Sequence, residues 1–154
     1  MVTQSDFGIG FLQSRLDEEI ALAKHIGIVV DTANDATVVL RAPLKANGNH
    51  KGTAFGGSLY SVAVLAGWAW LTRFMAVNSI NGDAVIQEST THYLAPVAGE
   101  LKASVLTPSS ADVDKFRKML VRSGRGRIRL RVEMQHDNAL ATLFDGVFAA
   151  MTRR

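Results

Sequence analysis

The sequence predicts an α+β fold in which an antiparallel sheet curls around one long buried helix. The first observation is a segment from about Gly57 to Val77 that is apolar nearly all round at helical spacing, as expected for a helix enclosed by protein. The second is strict alternation over residues 127–135, with one apolar face and one charged face. The third is that most other segments are short apolar runs bounded by turn residues.

The elements of the N-terminal half follow from spacing and punctuation. Apolar residues three to four positions apart predict an amphipathic helix over residues 11–26 that ends near Gly27. Two β-branched runs, 28–32 and 37–41, flank the turn-forming sequence A-N-D-A and predict a hairpin. Residues 43–52 have the composition of a loop, which leads into the central helix.

The same signals predict the elements of the C-terminal half. After the turn at 81–83, strands are predicted over 84–94 and 101–107, then a short helix over 111–121. The last two strands are 127–135 and 139–152, the latter with a bulge at Gly146. Because no repeat, linker or low-complexity tract intervenes, we expect a single domain over residues 1–154.

The composition excludes several classes of function. A hydrophobic content of 47% and a charged content of 20% are typical of a globular domain. With no cysteine, thiolate metal sites and a cysteine nucleophile are excluded. The four histidines are scattered without the spacing of a zinc site, so no metal and no cofactor is expected. A net charge of +3 falls short of what nucleic-acid binding demands.

A membrane span is not expected, although residues 52–72 are uncharged over about the length of a bilayer. Inserting this segment into lipid would leave the amphipathic strands nothing to pack on. The N-terminus also lacks the basic and apolar regions of a secretory signal. We therefore expect a cytoplasmic protein.

The stretch from Asn49 to Trp70 is the first place to look for chemistry. A polar loop punctuated by glycines runs directly into the central helix. The first N–H groups of a helix have no intrahelical acceptor and carry partial positive charge, so they can hold a carbonyl oxygen or an oxyanion.

These residues resemble the hot-dog fold thioesterases. The resemblance is closest to the thioesterase domain that some bacteria carry fused behind an acetyltransferase domain, and it covers nearly the whole chain in element order. Its specific parts are G-T-A-F-G-G-S-L-Y-S-V-A (residues 52–63) and Y-L-A-P-V (residues 93–97). The family implies hydrolysis of acyl thioesters of coenzyme A or acyl carrier protein. It also implies a homodimer or dimer of dimers that joins two sheets, with sites at the interface.

The resemblance also implies roles for residues at the start of the helix. The N–H of Gly57, with Gly56 and Ser58 beside it, would hold the thioester carbonyl. Relatives often carry a histidine just before the glycine pair, and here that position is Phe55. The acidic side chain that activates water in the best-known relatives lies two turns into the helix, where this chain has Val64.

Other side chains are candidates to replace the missing carboxylate. Ser61 shares a helix face with Gly57, Val64 and Trp68, although a buried helical serine commonly bonds the carbonyl four residues back. Asn49 and His50 lie in the loop. The simpler interpretation is that Asn49 forms a turn and that the His50 imidazole is solvated. Glu88 shares a strand face with Thr90 and His92, a face that could equally be solvent or dimer surface.

The basic stretch from Arg117 to Arg131 has two interpretations. Arg125, Arg127 and their neighbours could dock coenzyme A phosphates or an acidic carrier protein, or they could form an ordinary solvated strand face. Because no aromatic residue interleaves them, RNA binding is disfavoured. The aromatic residues Trp68, Trp70, Phe74, Phe144 and Phe148 could line an acyl channel or simply form core.

Three functions stay open at this point. The first is a cofactor-free acyl-thioester hydrolase. The second is a non-catalytic acyl-thioester binding module serving a partner acetyltransferase, which Val64 favours. The third is a hydratase or dehydratase of the same fold, which would need His50 or His92 to face Glu88.

Overall fold

The computed structural model describes residues 3–153. After a single 3-10 turn, the helices are α1 (Ile9–Glu19), α2 (Ala21–His25), α3 (Leu44–Asn47), α4 (Gly56–Val77) and α5 (Ser110–Ser123). The strands are β1 (Val29–Ala33), β2 (Val38–Ala42), β3 (Gly82–Tyr93), β4 (Leu101–Val105), β5 (Arg125–His136) and β6 (Ala139–Thr152).

The six strands form one antiparallel sheet in the order β1-β2-β4-β5-β6-β3, packed on α4. The predicted fold class is therefore confirmed. Helix and sheet approach closely where Gly67 faces Phe148, because a Cβ atom on Gly67 would overlap that ring. The alternation predicted for β5 is also present, with its even-numbered residues from Gly126 to Met134 buried and its arginines exposed.

Two predictions for the helices need correction. The single helix predicted over residues 11–26 is broken at Ile20, whose backbone is extended (φ −120°, ψ 96°) between α1 and α2. The segment predicted as loop after Pro43 contains the short helix α3.

The bulge predicted at Gly146 is wrong. Gly146 pairs in register with both Leu130 and Ser89. The glycine is required by packing, since a Cβ atom there would lie 2.7 Å from the Phe144 ring and 2.9 Å from the Phe148 ring. Glycine at this position therefore makes room for two core aromatics.

A bulge lies instead in β3, between Ile86 and Glu88. Ile86 pairs with Phe148 on the face that packs on α4, whereas Glu88 pairs with Val147, whose side chain points to the other face. A one-residue shift of register moves the following side chains to the opposite face. Beyond the bulge, Ser89, Thr91 and Tyr93 are thus the residues of β3 that face α4.

Helix α1 is fixed to the outer edge of the sheet, beside β1. The Gln13 side chain accepts a hydrogen bond from the Val30 N–H (2.8 Å) and donates one to the Ile28 carbonyl (3.1 Å). Its amide therefore acts as a neighbouring strand at the outer edge of β1 and fixes α1 there.

By length and composition α4 could cross a bilayer, and within residues 3–153 it is the one helix for which this holds. In this fold 61% of its most apolar stretch is buried inside the chain.

Candidate functional site

The tip of α4 has two backbone donors without acceptors. Phe55 precedes the helix in an extended conformation, and its carbonyl accepts hydrogen bonds from the N–H groups of Ser58 (2.9 Å) and Leu59 (3.1 Å). The N–H groups of Gly56 and Gly57 have no hydrogen-bond acceptor among residues 3–153. The free pair is therefore Gly56 and Gly57, while the Ser58 N–H is already engaged.

Two exposed aromatic rings flank this tip. The Tyr93 hydroxyl donates a hydrogen bond to the Gly56 carbonyl (2.9 Å), and the Tyr93 ring would lie 3.5 Å from a Cβ atom on Gly56. A Cβ atom on Gly57 would lie 2.5 Å from the Phe55 ring, so glycine is needed for this close approach. Phe55 and Tyr93 are 58% and 54% exposed, which makes the tip an apolar-rimmed surface with two N–H groups at its centre.

The loop before the tip is held by two asparagines. The Asn49 side-chain oxygen accepts from the N–H groups of Lys51 (2.8 Å) and Thr53 (3.1 Å), and its Nδ2 donates to the Thr53 hydroxyl (2.9 Å). Asn47 is buried and donates from Nδ2 to the carbonyls of Ile26 and Pro43, both at 2.8 Å. Asn49 thus shapes the turn, and Asn47 fastens the loop to the end of α2.

Asn47 was missed by sequence reasoning, because an asparagine in a polar loop carries no signal of burial. Its backbone carbonyl accepts from the Phe55 N–H (2.7 Å), and the Ala54 N–H donates to the Val97 carbonyl (2.8 Å). These bonds fix the entry of the chain into α4. They explain why the tip has a defined geometry although no side chain caps the helix.

An apolar cavity of about 330 Å³ opens along α4, beginning one helical turn beyond the tip. Ser61, Val64 and Trp68 line it from one helix face, as the spacing in the sequence predicts. The Ser61 hydroxyl donates to the Gly57 carbonyl (2.8 Å), which is the plainer of its two predicted roles. Of the other aromatic residues considered for an acyl channel, Phe148 lines this cavity, whereas Trp70, Phe74 and Phe144 do not. The remaining walls were not singled out from the sequence; they are Ile20, Leu22, Tyr60, Leu65 and Ile86.

The chain does not bring the remaining candidates to this cavity. Glu88 lies on the far face of the sheet, because the β3 bulge turns it away from α4. Thr90 and His92 share that outer face, so a histidine–carboxylate pair is not assembled at the tip. His50 is exposed in the turn that Asn49 shapes.

Arg125 and Arg127 lie towards the other end of the sheet. Arg125 pairs with Met151, which pairs with Asp83 at the start of β3, whereas Tyr93 ends the same strand. Ten residues of strand correspond to about 30 Å, so neither arginine reaches the α4 tip of its own chain. Both are exposed, and neither forms an ion pair with any residue in 3–153.

The two carboxyl groups whose pKa values are lowered also lie away from the tip of α4. A two-bond contact with the Arg131 guanidinium lowers the pKa of Asp145 on the outer face of the sheet. A hydrogen bond from Arg153 lowers the pKa of Asp83. Within residues 3–153 no three carboxylate or imidazole side chains lie close enough together to hold a metal ion.

Comparison with solved structures agrees with this fold. A protein of unknown function from Chlorobaculum tepidum TLS is 27% identical, with a TM-score of 0.88 over 94% of each chain. A thioesterase, named as putative, from Shewanella oneidensis is 24% identical, with a TM-score of 0.85 over 96% of this chain and 99% of that one. A probable thioesterase from Pseudomonas aeruginosa is 16% identical, with a TM-score of 0.77 over 94% of this chain and 95% of that one.

A family model with the description "Putative thioesterase (yiiD_Cterm)" matches residues 10–152, nearly the whole chain. The match includes the glycine pair, the central helix and all six strands. The resemblance inferred from the glycine-led helix and the Y-L-A-P-V strand end is thereby confirmed. The chain belongs to this thioesterase family of the hot-dog superfamily.

Proposed function

We propose that this protein hydrolyses acyl thioesters, with the thioester carbonyl held by the N–H groups of Gly56 and Gly57. The observation that carries the proposal is the position of these two free donors, one helical turn from the apolar cavity. The positive end of the α4 dipole adds to their field. A carbonyl at the tip and an acyl chain in the cavity can thus be bound together.

The chemistry needs few groups. A water oxygen attacks the thioester carbon, and the oxyanion that forms is stabilised by the two N–H groups, which require no reorganisation. Collapse of the intermediate breaks the carbon–sulfur bond. Because a thiol has a pKa of about 8.5, the thiolate can leave without a general acid, and the proton released by water passes to solvent.

Ser61 is proposed to orient the attacking water. Its hydroxyl hydrogen is directed to the Gly57 carbonyl, which leaves the oxygen lone pairs free to accept a hydrogen bond from water. Asn49 acts through the loop that it shapes. His50 lies exposed in the same turn and outside the cavity, so solvent is the proposed acceptor of the proton and His50→Gln should leave kcat nearly unchanged. A large fall in kcat for His50→Gln would instead assign the imidazole as the base.

We also propose that two copies pair through β3. This strand lies at an edge of the sheet, spans 12 residues and carries exposed Val85, with Leu94 following it. A long unprotected edge strand is a template for pairing. A two-fold antiparallel pair would bring the Arg125 end of one sheet beside the α4 tip of the other chain. Such a pair would account for the distance between these candidates within one chain.

The substrate carrier is proposed to be coenzyme A or acyl carrier protein, since both end in a phosphate-linked pantetheine thioester. Arginine forks suit phosphate groups, and Arg125 and Arg127 are exposed without an acidic partner among residues 3–153. Substituting both by glutamine should raise KM for acyl-CoA and leave a truncated thioester without phosphate unaffected.

A second candidate function is acyl-thioester binding without turnover. The observation that favours it is Val64 in the cavity wall, where a carboxylate would activate water. Within the described chain the cavity is lined by no carboxylate and no imidazole.

One experiment separates the two functions. Purified protein is assayed for thiol release from saturated acyl-CoA and acyl carrier protein thioesters, and acyl-CoA binding is measured by calorimetry in parallel. We expect turnover that falls in Ser61→Ala, with Ser58→Ala, a residue outside the cavity wall, as the matched control. Binding without any turnover would select the binding module, and neither binding nor turnover would overturn both.

A further inference from the structure

A second cavity continues the first along α4. It measures about 260 Å³, and five of its nine lining residues are polar, namely Arg15, Glu19, Thr72, Asn81 and Arg153, whereas three are apolar. The apolar cavity uses Ser61, Val64 and Trp68 of α4, and the polar one begins at Thr72, one turn further. These residues follow the three-and-four spacing of a single helix face.

The elements on either side follow the same order. On β3, Ile86 lines the apolar cavity and Gly82 lines the polar one. On α1 and the residues after it, Ile20 lines the apolar cavity while Glu19 and Arg15 line the polar one. Because three elements agree, the two cavities are successive parts of one groove between α1, α4 and β3.

Trp68 stands at the boundary between the two parts. It is the last α4 residue of the apolar part, and Thr72 is the first of the polar part. Side chains on a helix lean towards its N-terminus, so the indole covers the turn before its own Cα atom. The apolar part of the groove therefore ends at about the level of Leu65.

We propose that Trp68 sets the length of the acyl chain and that the substrate class is medium-chain acyl thioesters. The proposal rests on the proposed function, because it places the carbonyl at the α4 tip. From Gly57 to Leu65 the helix rises about 12 Å. An extended alkyl chain advances roughly 1.25 Å per carbon, from a C–C bond near 1.52 Å, so about eight to ten carbons fill the apolar part.

The polar part reinforces this limit. Glu19 is bonded by Arg15, and Asp83 beside Gly82 is bonded by Arg153. A longer alkyl chain would have to displace the indole and then cover these ion pairs, which removes their water without replacing it. Chains longer than the apolar part thus gain little further stabilisation, because the few apolar residues of the polar part lie among these ion pairs.

The test is a chain-length series. Wild-type kcat/KM should rise about fourfold per added CH2 and then level off at eight to ten carbons. Trp68→Ala should move that plateau at least four carbons further, with little change for six-carbon substrates. Trp68→Phe should move the plateau by one or two carbons. This variant tests the proposal if Trp68→Ala does not fold.

Trp70→Phe is the matched control. Trp70 lies on the same helix but stacks on Phe74 (5.4 Å between ring centroids) and lines neither part of the groove. Its chain-length profile should match that of the wild type. If the Trp68 variants keep the wild-type plateau, or if Trp70→Phe moves it equally, the proposal is overturned.

The affinity of the same acyl-CoA series is measured by calorimetry as well. If no thioester is hydrolysed but affinity levels off at eight to ten carbons and shifts in Trp68→Ala, the proposed hydrolysis fails while Trp68 keeps its assignment. If hydrolysis occurs with no dependence on chain length, the assignment of Trp68 fails and the hydrolase stands.

Discussion

The two ends of α4 are built in opposite ways. At the C-terminal end, Asn78 donates from Nδ2 to the Phe74 carbonyl (2.7 Å), and Phe74 stacks on Trp70. The buried Arg73 donates to the Phe7 carbonyl and to Asp35, both at 3.0 Å. At the N-terminal end no side chain caps the helix, and the N–H groups of Gly56 and Gly57 have no acceptor in residues 3–153.

The two ends of α4 therefore differ in whether their backbone groups are available to a ligand. Capping a helix with Ser, Thr, Asp or Asn typically stabilises it by about 1 kcal/mol, and the N-terminus of α4 forgoes that gain. The C-terminal end uses side chains to hold the helix in the fold. The N-terminal end keeps its donors free for a ligand and relies on the loop from Asn47 to Phe55 for its position.

Removing one backbone donor at the N-terminal end of α4 should lower activity more than any other single change considered. Gly56→Pro deletes one N–H, and Phe55 before it already has the extended conformation (φ −64°, ψ 135°) that a residue preceding proline adopts. Loss of one oxyanion donor should lower kcat by about 10²–10³-fold. The measurement is steady-state thiol release from acyl-CoA.

Gly56→Ala is the control for that variant. It keeps the N–H and adds a Cβ atom at an ordinary 3.5 Å from the Tyr93 ring. Its kcat should stay close to that of the wild type. Equal losses in the alanine and proline variants would mean that shape, and not the missing donor, is responsible.

At the C-terminal end of α4, Arg73→Met should lower the stability of the fold and leave kcat unchanged. It removes two hydrogen bonds from a buried guanidinium, one of them to a carboxylate, at a cost of about 2 kcal/mol. For a chain of this size the melting temperature should fall by about 4–8 °C, measured by calorimetry at fixed protein concentration.

Arg153→Met is the matched control, since Arg153 is also paired, but at the surface. It should shift the melting temperature far less than Arg73→Met. A fall in kcat for Arg73→Met at a temperature where it is fully folded would contradict the separation of the two ends.

The asymmetry of α4 could be predicted only in part. Glycines before an uncharged helical segment indicate an open N-terminus, and the common face of Ser61, Val64 and Trp68 follows from spacing alone. Which N–H groups are free could not be predicted, because that depends on the Phe55 carbonyl turning back to Ser58 and Leu59.

In the sheet, the bulge in β3 could not be predicted from the sequence either. Period two groups Glu88 with Thr90 and His92 correctly, but it also groups Glu88 with Ile86 on the helix side. The bulge between Ile86 and Glu88 breaks that pattern, and no glycine or proline adjoins the bulge to indicate it in the sequence. The glycine that was interpreted as a bulge, Gly146, is fixed by two aromatic rings that meet it only after folding.

A carboxylate introduced into the cavity wall tests whether the carbonyl lies at the N-terminal end of α4. Val64→Glu places an acid two turns from the tip, where it can take the proton of an attacking water. General-base help of this kind should raise kcat about tenfold or more, with a rate that increases with pH through the pKa of the new carboxyl group.

Val64→Gln has nearly the same shape without the charge and should give no such gain. Because Val64 is half-buried, both variants should lose some stability, which differential scanning fluorimetry would measure. An inactive Val64→Glu that is folded and binds acyl-CoA would argue against a carbonyl positioned at Gly56 and Gly57.

On the outer face of the sheet, away from both ends of α4, a substitution should have only a slight effect on stability. Arg131 lowers the pKa of Asp145 below its ordinary value of about 3.9. A carboxyl group with a lower pKa in the folded state stabilises the fold above its unfolded pKa, and this contribution is lost as pH falls through the folded value.

Asp145→Asn should therefore lower the melting temperature slightly at pH 7 and less at pH 3. Asp114→Asn, which breaks no ion pair within residues 3–153, should show no such difference, and an equal penalty for Asp145→Asn at both pH values would contradict the assignment.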